Sequence, residues 1–214
     1  MTEQIENFIF DIDGTLIDTF DMYMPPMIKL LREHGYPVAP EDEQAVMRKL
    51  FGITGADALR IYGVKEEDVA PMVKEWFQLS YQREDRVTVL AGIPAALQGL
   101  NAEGRNLAVA TSKVQDEYEH FRHKFSFAKL FDVAITEKDT VKHKPDPDPI
   151  LAAMEEMGIT DPARTVYVGD TINDLKAAKA AGVKSAAALY GSANPASIMG
   201  ADFLLHEPAD LLKI

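Results

Sequence analysis

A doubly wound, parallel α/β sheet carrying an inserted α-helical unit is the fold class that this sequence predicts, and three observations predict it. From Arg83 onward, short apolar runs alternate with amphipathic stretches, the pattern of strand and crossover helix. A further apolar run, Asn7 to Phe10, stands alone near the N-terminus. Between these two regions lie about seventy residues with helical periodicity and no convincing strand.

Taken in order, strands are expected at Asn7 to Phe10, Asn106 to Ala110, Val133 to Ile135, Thr165 to Val168, Ser185 to Leu189 and Phe203 to Leu205. The helices between them are expected at Ile93 to Glu103, Asp116 to Phe125, Pro147 to Met157 and Leu175 to Ala181. Gly104, Gly158 and Gly182 follow three of these helices, where a left-handed cap ends a helix. The insertion reads as helices near Asp21 to His34, Glu41 to Leu50, Thr54 to Tyr62 and Glu66 to Gln82. Its Met22, Met24, Met27, Trp76, Phe77 and Tyr81 could form a binding surface for an apolar ligand, but their spacing on helix faces favours the core of a small bundle. The division is therefore residues 1–16 and 83–214 for the α/β unit and 17–82 for the helical unit, with connections near Leu16 to Thr19 and Gln82 to Thr88. Asp18 or Thr19 is expected to cap the first inserted helix.

Chemistry concentrates where strands end. The first strand runs into Asp11-Ile12-Asp13-Gly14-Thr15, placing two carboxylates at a carboxyl edge, where open α/β sheets bind ligands. A carboxylate is a covalent nucleophile toward phosphoryl groups. A second carboxyl can protonate a departing alkoxide and then draw a proton from water. Two acids facing a phosphate repel it unless a cation intervenes, and an all-oxygen donor set without cysteine or clustered histidine suits Mg²⁺. The competing explanation is a strand-end turn, since Asp and Gly favour turns. Three later segments weigh against it: Ala110 into Thr111-Ser112-Lys113, a loop with cations at Lys142 and Lys144 before Pro145, and Val168-Gly169 into Asp170 and Asp174. His120 and His123, three residues apart with no third ligand nearby, read as a solvated helix face.

With these four segments in this order, the chain resembles the haloacid dehalogenase superfamily: D-x-D-G-T-L at Asp11 to Leu16, Thr-Ser at Thr111 and Ser112, Lys-Pro at Lys144, and G-D-T-x-x-D at Gly169 to Asp174. The resemblance spans the chain and implies a Rossmann-like core with a helical cap closing over the active site. It implies that Asp11 is the nucleophile and becomes an aspartyl phosphate, and that Asp13 is the general acid and base. Mg²⁺ would be held by Asp11, Asp13 through its backbone carbonyl, and Asp170, with Asp174 behind it orienting a bound water or Lys144. Thr111, Ser112 and Lys113 would hold the substrate phosphate. Lys144 would neutralise the transferring group; it is preferred to the rival Lys142 because the family places this lysine directly before proline. Asp13 also argues for phosphate against halide, because halide departure needs no acid. Among superfamily members the sequence looks most like phosphoglycolate phosphatases and their pyrophosphatase relatives, although Val89-Leu90-Ala91-Gly92 departs from the usual Tyr-Pro-Gly there.

The expected function is thus Mg²⁺-dependent hydrolysis of a small, phosphoglycolate-like organic phosphate monoester, with specificity set by cap residues around Arg48 to Thr54. A phosphomutase of the β-phosphoglucomutase type and an inorganic pyrophosphatase share the scaffold. A non-catalytic regulatory or binding module is the reading from another class. With 214 residues and 47% apolar content, the chain can bury one solid core and a smaller appendage. Its net charge of −12, without a basic stripe, argues against nucleic-acid and anionic-membrane partners. No signal peptide or membrane span is evident, and the absence of cysteine fits a cytoplasmic protein, expected as a monomer or homodimer acting on a small phosphorylated metabolite.

Overall fold

The computed structural model describes residues 4–214. Its centre is β1, Asn7–Phe10, in which all four residues are buried. Side chains alternate along it, so Phe8 and Phe10 pack on one face of the sheet and Ile9 on the other. Burial on both faces is the condition of a parallel strand covered by helices, and it explains why β1 reads as a continuous apolar run.

The other core elements follow in chain order. These are α5 (Ile93–Ala102), β4 (Asn106–Ala110), α6 (Gln115–Lys124), β5 (Val133–Ile135), α7 (Asp148–Glu156), β6 (Thr165–Gly169), α8 (Ile172–Ala181), β7 (Lys184–Ala188) and β8 (Phe203–Leu205). They form a six-stranded sheet in the order β5-β4-β1-β6-β7-β8, with every pairing parallel. Ile93, Leu97 and Leu100 of α5 and Tyr118 and Phe121 of α6 cover the Phe8 and Phe10 face; Ile150 and Ala153 of α7 and Ala177 of α8 cover the Ile9 face. Gly104, Gly158 and Gly182 all take positive φ after α5, α7 and α8. Chain order reverses between β1 and β6, and there the carboxyl ends of two strands open a crevice. Registers Phe10↔Val109 and Phe10↔Val168 bring the ends of β1, β4 and β6 level, so their following residues meet at one rim.

Between β1 and α5 the chain builds α1 (Phe20–Glu33), α2 (Glu43–Leu50), α3 (Gly55–Tyr62) and α4 (Glu66–Tyr81). These four helices share a separate core with Met22, Met24, Met27, Leu31, Leu59 and Trp76 among its buried members. Phe77 and Tyr81 lie at its edge, only partly buried.

Several local expectations need correction. The stretch between β1 and Arg83 contains a strand after all: β2, Ile17–Asp18, pairs antiparallel with β3, Thr88–Val89, tying together the two connections of the insertion. A two-residue strand is too short to show a period of two. Thr19 does not cap α1 with its side chain; its hydroxyl donates to Asp13 Oδ1 at 2.7 Å, while Asp18 Oδ1 accepts the Phe20 N–H at 3.1 Å. Helix α8 begins at Ile172, three residues before the expected start, because Thr171 and Asp174 form a reciprocal cap. Strand β7 lies one residue earlier than expected. Among the described residues, no helix is long and apolar enough to cross a membrane.

Met27, fully buried in the helical core, gives a direct test of that core's independence. Met27→Ala should lower unfolding stability by about 2–5 kcal/mol. The loss should be visible in urea titrations followed by fluorescence of Trp76, the chain's single tryptophan.

Candidate active site

Asp11 leaves β1 with its N–H donating to the Val168 carbonyl at 2.9 Å, which holds the residue against β6. Its carboxylate is 2% exposed. Gly14 then turns the chain at φ 72°, a left-handed conformation that favours glycine. A Cβ there would also collide with Asp170 Oδ2, so the turn lets the first loop press against the loop after β6.

Opposite Asp11 stands Lys144, with its ammonium 3.0 Å from Asp11 Oδ2, 2.8 Å from Asp174 Oδ1 and 3.0 Å from the Tyr167 hydroxyl. Tyr167 donates in turn to the Ala110 carbonyl at 2.7 Å, anchoring the arrangement to β4. Lys142, by contrast, is 64% exposed with its nearest carboxylate at 3.9 Å, so the geometry selects Lys144 as the lysine of this cluster. Asp174 also accepts from the Thr171 N–H at 2.9 Å with Oδ2, so one carboxylate caps α8 and fixes Lys144.

Carboxylate oxygens of Asp11, Asp170 and Asp174 lie within 4.8 Å of one another. One lysine leaves this buried trio with an excess of negative charge. Burial first, then Asp174 and Asp13 as like charges, push the Asp11 carboxyl up to about 7 against the opposing pull of Lys144. Asp170 is raised well above the usual carboxylate range by burial, Asp174 and Asp11. Burial alone would lower Lys144, but Asp11 and Asp174 outweigh it and hold the ammonium charged. Asp170 Oδ2 is buried without a hydrogen-bond partner among the described residues, although Ser192 donates to the Asp170 carbonyl at 2.6 Å. An orphaned carboxylate oxygen inside an electronegative cluster fits a hard divalent cation such as Mg²⁺.

The Asp13 side chain faces elsewhere. Its Oδ1 accepts from Thr19 at 2.7 Å and lies 2.9 Å from the Lys113 ammonium. Lys113 is 5% exposed and also donates to the Tyr23 hydroxyl at 3.0 Å, and Tyr23 donates to Glu117 Oε1 at 2.6 Å. Tyr23 belongs to α1 and Glu117 to α6, so this chain of contacts joins the helical layer to the core beside Asp13. His143 adds a second bridge, with Nδ1 3.1 Å from Asp57 Oδ2 in α3. Ser112 and Lys113 line the same pocket as Asp11 and Asp13, whereas the Thr111 hydroxyl accepts the Lys113 N–H at 3.3 Å.

Sequence reasoning missed Tyr167, Thr19, Tyr23, Glu117 and Ser192. Tyr167 carried a faint signal, a phenol inside an otherwise apolar strand that needs a buried partner. The others depend on contacts across the fold.

A model of haloacid dehalogenase-like hydrolases matches residues 8–188 of the chain. The chain is 29% identical over 220 residues to an N-acetylmuramic acid 6-phosphate phosphatase of Pseudomonas aeruginosa, covering 99% of this chain and 95% of that one. It is 28% identical over 217 residues to a pyrophosphatase of Bacillus velezensis, covering 99% and 97%. A crystal structure of a Lactobacillus plantarum protein assigned as a phosphoglycolate phosphatase superposes with a TM-score of 0.86 at 25% identity, covering 99% of both chains.

The raised carboxyls set a pH test. Between the unfolded value of 3.8 and about 7 the folded protein holds more protons at Asp11 than the unfolded chain, and Asp170 adds to this, so stability falls as pH rises through that window. Metal-free protein should therefore show Asp11 and Asp170 lowering Tm between mildly acidic and neutral pH, and Mg²⁺ should restore Tm at neutral pH but not at acidic pH. Differential scanning calorimetry with and without chelator checks both arms; in Asp170→Asn the pH-dependent loss should shrink but persist through Asp11, and the recovery with Mg²⁺ should be absent.

Proposed function

We propose, for a chain that belongs to the haloacid dehalogenase-like hydrolases, that it hydrolyses a small organic phosphate monoester of about the size of phosphoglycolate in two steps through Asp11. One arrangement supports this above all: Asp11 and Lys144 paired at 3.0 Å, with an unpartnered Asp170 oxygen buried beside them.

In the first step an Asp11 oxygen attacks phosphorus, the bond to the ester oxygen breaks, and the carboxyl of Asp13 delivers a proton to the departing alkoxide. In the second, Asp13 takes a proton from water, whose oxygen attacks the same phosphorus and releases inorganic phosphate from Asp11. Lys144 neutralises charge between Asp11 and the transferring group, and Asp174 keeps it there. Thr111, Ser112 and Lys113 stand at the edge of β4 where phosphate oxygens would rest. Mg²⁺, held by the carboxylates of Asp11 and Asp170 and the backbone carbonyl of Asp13, would supply the charge neutralisation that lets a phosphate dianion enter this acidic site. Thr19 and Lys113 act on Asp13 itself, holding its carboxylate at a defined place on the rim.

In this reading residues 17–82 form the cap, and residues 1–16 and 83–214 the catalytic core. The Tyr23–Glu117 and Asp57–His143 contacts hold the cap over the site, where it excludes water from the first step. The substrate is a small phosphorylated metabolite, and the protein acts in the cytoplasm as a monomer or homodimer.

Asp11→Asn should abolish phosphate release and Asp13→Asn should lower it by about 10²–10⁴-fold, both with unchanged circular dichroism. Chelation should remove the activity and added Mg²⁺ return it. Wild-type turnover in Asp11→Asn would sink the covalent route. Phosphate release without any bisphosphate activator separates hydrolysis from mutase chemistry.

A further inference from the structure

The space above Asp11 and Asp13 is walled on the helical side by Phe51, Ile53, Val73, Trp76 and Phe77. On the core side it meets Lys113, Glu117 and Glu137. Lys113 is the one basic residue among these lining side chains, and its ammonium is already committed to Asp13 at 2.9 Å and to the Tyr23 hydroxyl at 3.0 Å. Glu117 accepts from the same hydroxyl at 2.6 Å, so Asp13 and Glu117 together place one more carboxylate than cation around that lysine. Two side-chain polar groups on the helical wall are occupied as well. Trp76 Nε1 donates to the Tyr23 carbonyl at 2.9 Å, and the Thr54 hydroxyl donates to Asp57 Oδ2 at 2.7 Å. Arg48 and Lys49 do not line this space; they line a neighbouring groove, on the other side of Phe51 and Ile53, with Asp170, Thr171 and Asn173.

We propose that this pocket selects phosphate esters of uncharged alcohols with apolar surface and rejects leaving groups that carry a carboxylate or a second phosphate. The inference rests on the reading of Asp11 as phosphoryl acceptor and narrows what lies on the far side of the scissile bond. An acidic leaving group would enter a space that offers two glutamates, no uncommitted cation and an aromatic wall, and burying a charge without a partner is unfavourable. An alcohol with a hydrocarbon body instead buries apolar area against Phe51, Ile53 and Phe77, and leaves no charge unmatched. Glu117 and Glu137 repel a competing anion, so the discrimination includes a repulsive element besides the attractive one.

The test compares phosphate release, with Mg²⁺ present, from 2-hydroxyethyl phosphate, phenyl phosphate and phosphoglycolate. The first and third differ only in a hydroxymethyl group against a carboxylate. For the wild-type enzyme, kcat/KM on the two uncharged-alcohol esters should exceed that on phosphoglycolate by about tenfold or more. Phe77→Lys, which adds a cation to the wall, should shift the ratio toward phosphoglycolate by about tenfold. Ile53→Lys, in a loop and not a helix, serves as the second variant should Phe77→Lys fold poorly. Equal turnover of the esters, or a preference for phosphoglycolate, overturns the proposal while leaving the phosphatase reading intact. A preference for phosphoglycolate that Arg48→Ala removes overturns it in the same way and assigns recognition of the acid to the neighbouring groove. Failure to release phosphate from any of the three, with no phosphorylated Asp11 trapped by acid quench, overturns the reading of the site itself.

Discussion

Three buried carboxylates around one lysine are the constraint on which the rest of this molecule turns. Asp11 arrives from one segment of chain, Asp170 and Asp174 from a second and Lys144 from a third, so the sheet must hold its strand ends level for them to meet at all. Burial makes each unmatched charge costly, and the architecture answers locally: Asp174 is tied to the start of α8, Tyr167 steadies Lys144 from β6, and Ser192 grips the backbone of Asp170. What is left uncompensated is one oxygen of Asp170. Among the described residues only the Ser80 hydroxyl, in the helical layer, shares this condition, and an orphan oxygen beside the nucleophile points to affinity for a cation rather than to loose packing.

A second polar cluster works differently. Asp13, Lys113, Tyr23 and Glu117 hold one more carboxylate than cation among themselves, and the contact runs across the boundary between the helical layer and the sheet. Burial raises the Tyr23 phenol well above its usual range despite the neighbouring lysine, so it stays protonated and donates to Glu117. The two clusters share a rim yet have opposite demands. One invites an external cation, while the other leaves an entering ligand little beyond hydrocarbon and aromatic surface.

Most of the sheet was legible from the chain alone, because a parallel strand covered on both faces leaves an unbroken apolar run such as Phe8-Ile9-Phe10. The rim carboxylates were legible for a related reason: a buried strand has little cause to end in Asp unless the acid has work to do, and Asp11 and Asp170 both interrupt apolar runs abruptly. The β2–β3 ribbon was not, since two residues carry no period. Thr19 was misjudged because the same residue type caps helices and orients carboxylates, and only the spatial approach of Asp13 decides between them. Tyr23 and Glu117 lie 94 residues apart in the chain, and nothing local in either helix announces the other. The apolar lining of the pocket was only half legible: helical spacing favours core over a binding surface for Trp76 and Phe77, and Trp76 is indeed buried in the core, yet both also line the site.

The pairing of Ile17 with Val89 carries a corollary for how such chains diversify. Because departure and return of the intervening segment are clasped side by side, the sheet experiences that segment as a short closed loop whatever its length, and lengthening a closed loop costs only slowly more entropy. Grafting a different module after Thr19, which must stay to hold Asp13, would therefore leave the nucleophile undisturbed while exchanging the roof, so that new selectivities can be acquired wholesale, as a cassette, with the catalytic carboxylates beneath kept in place.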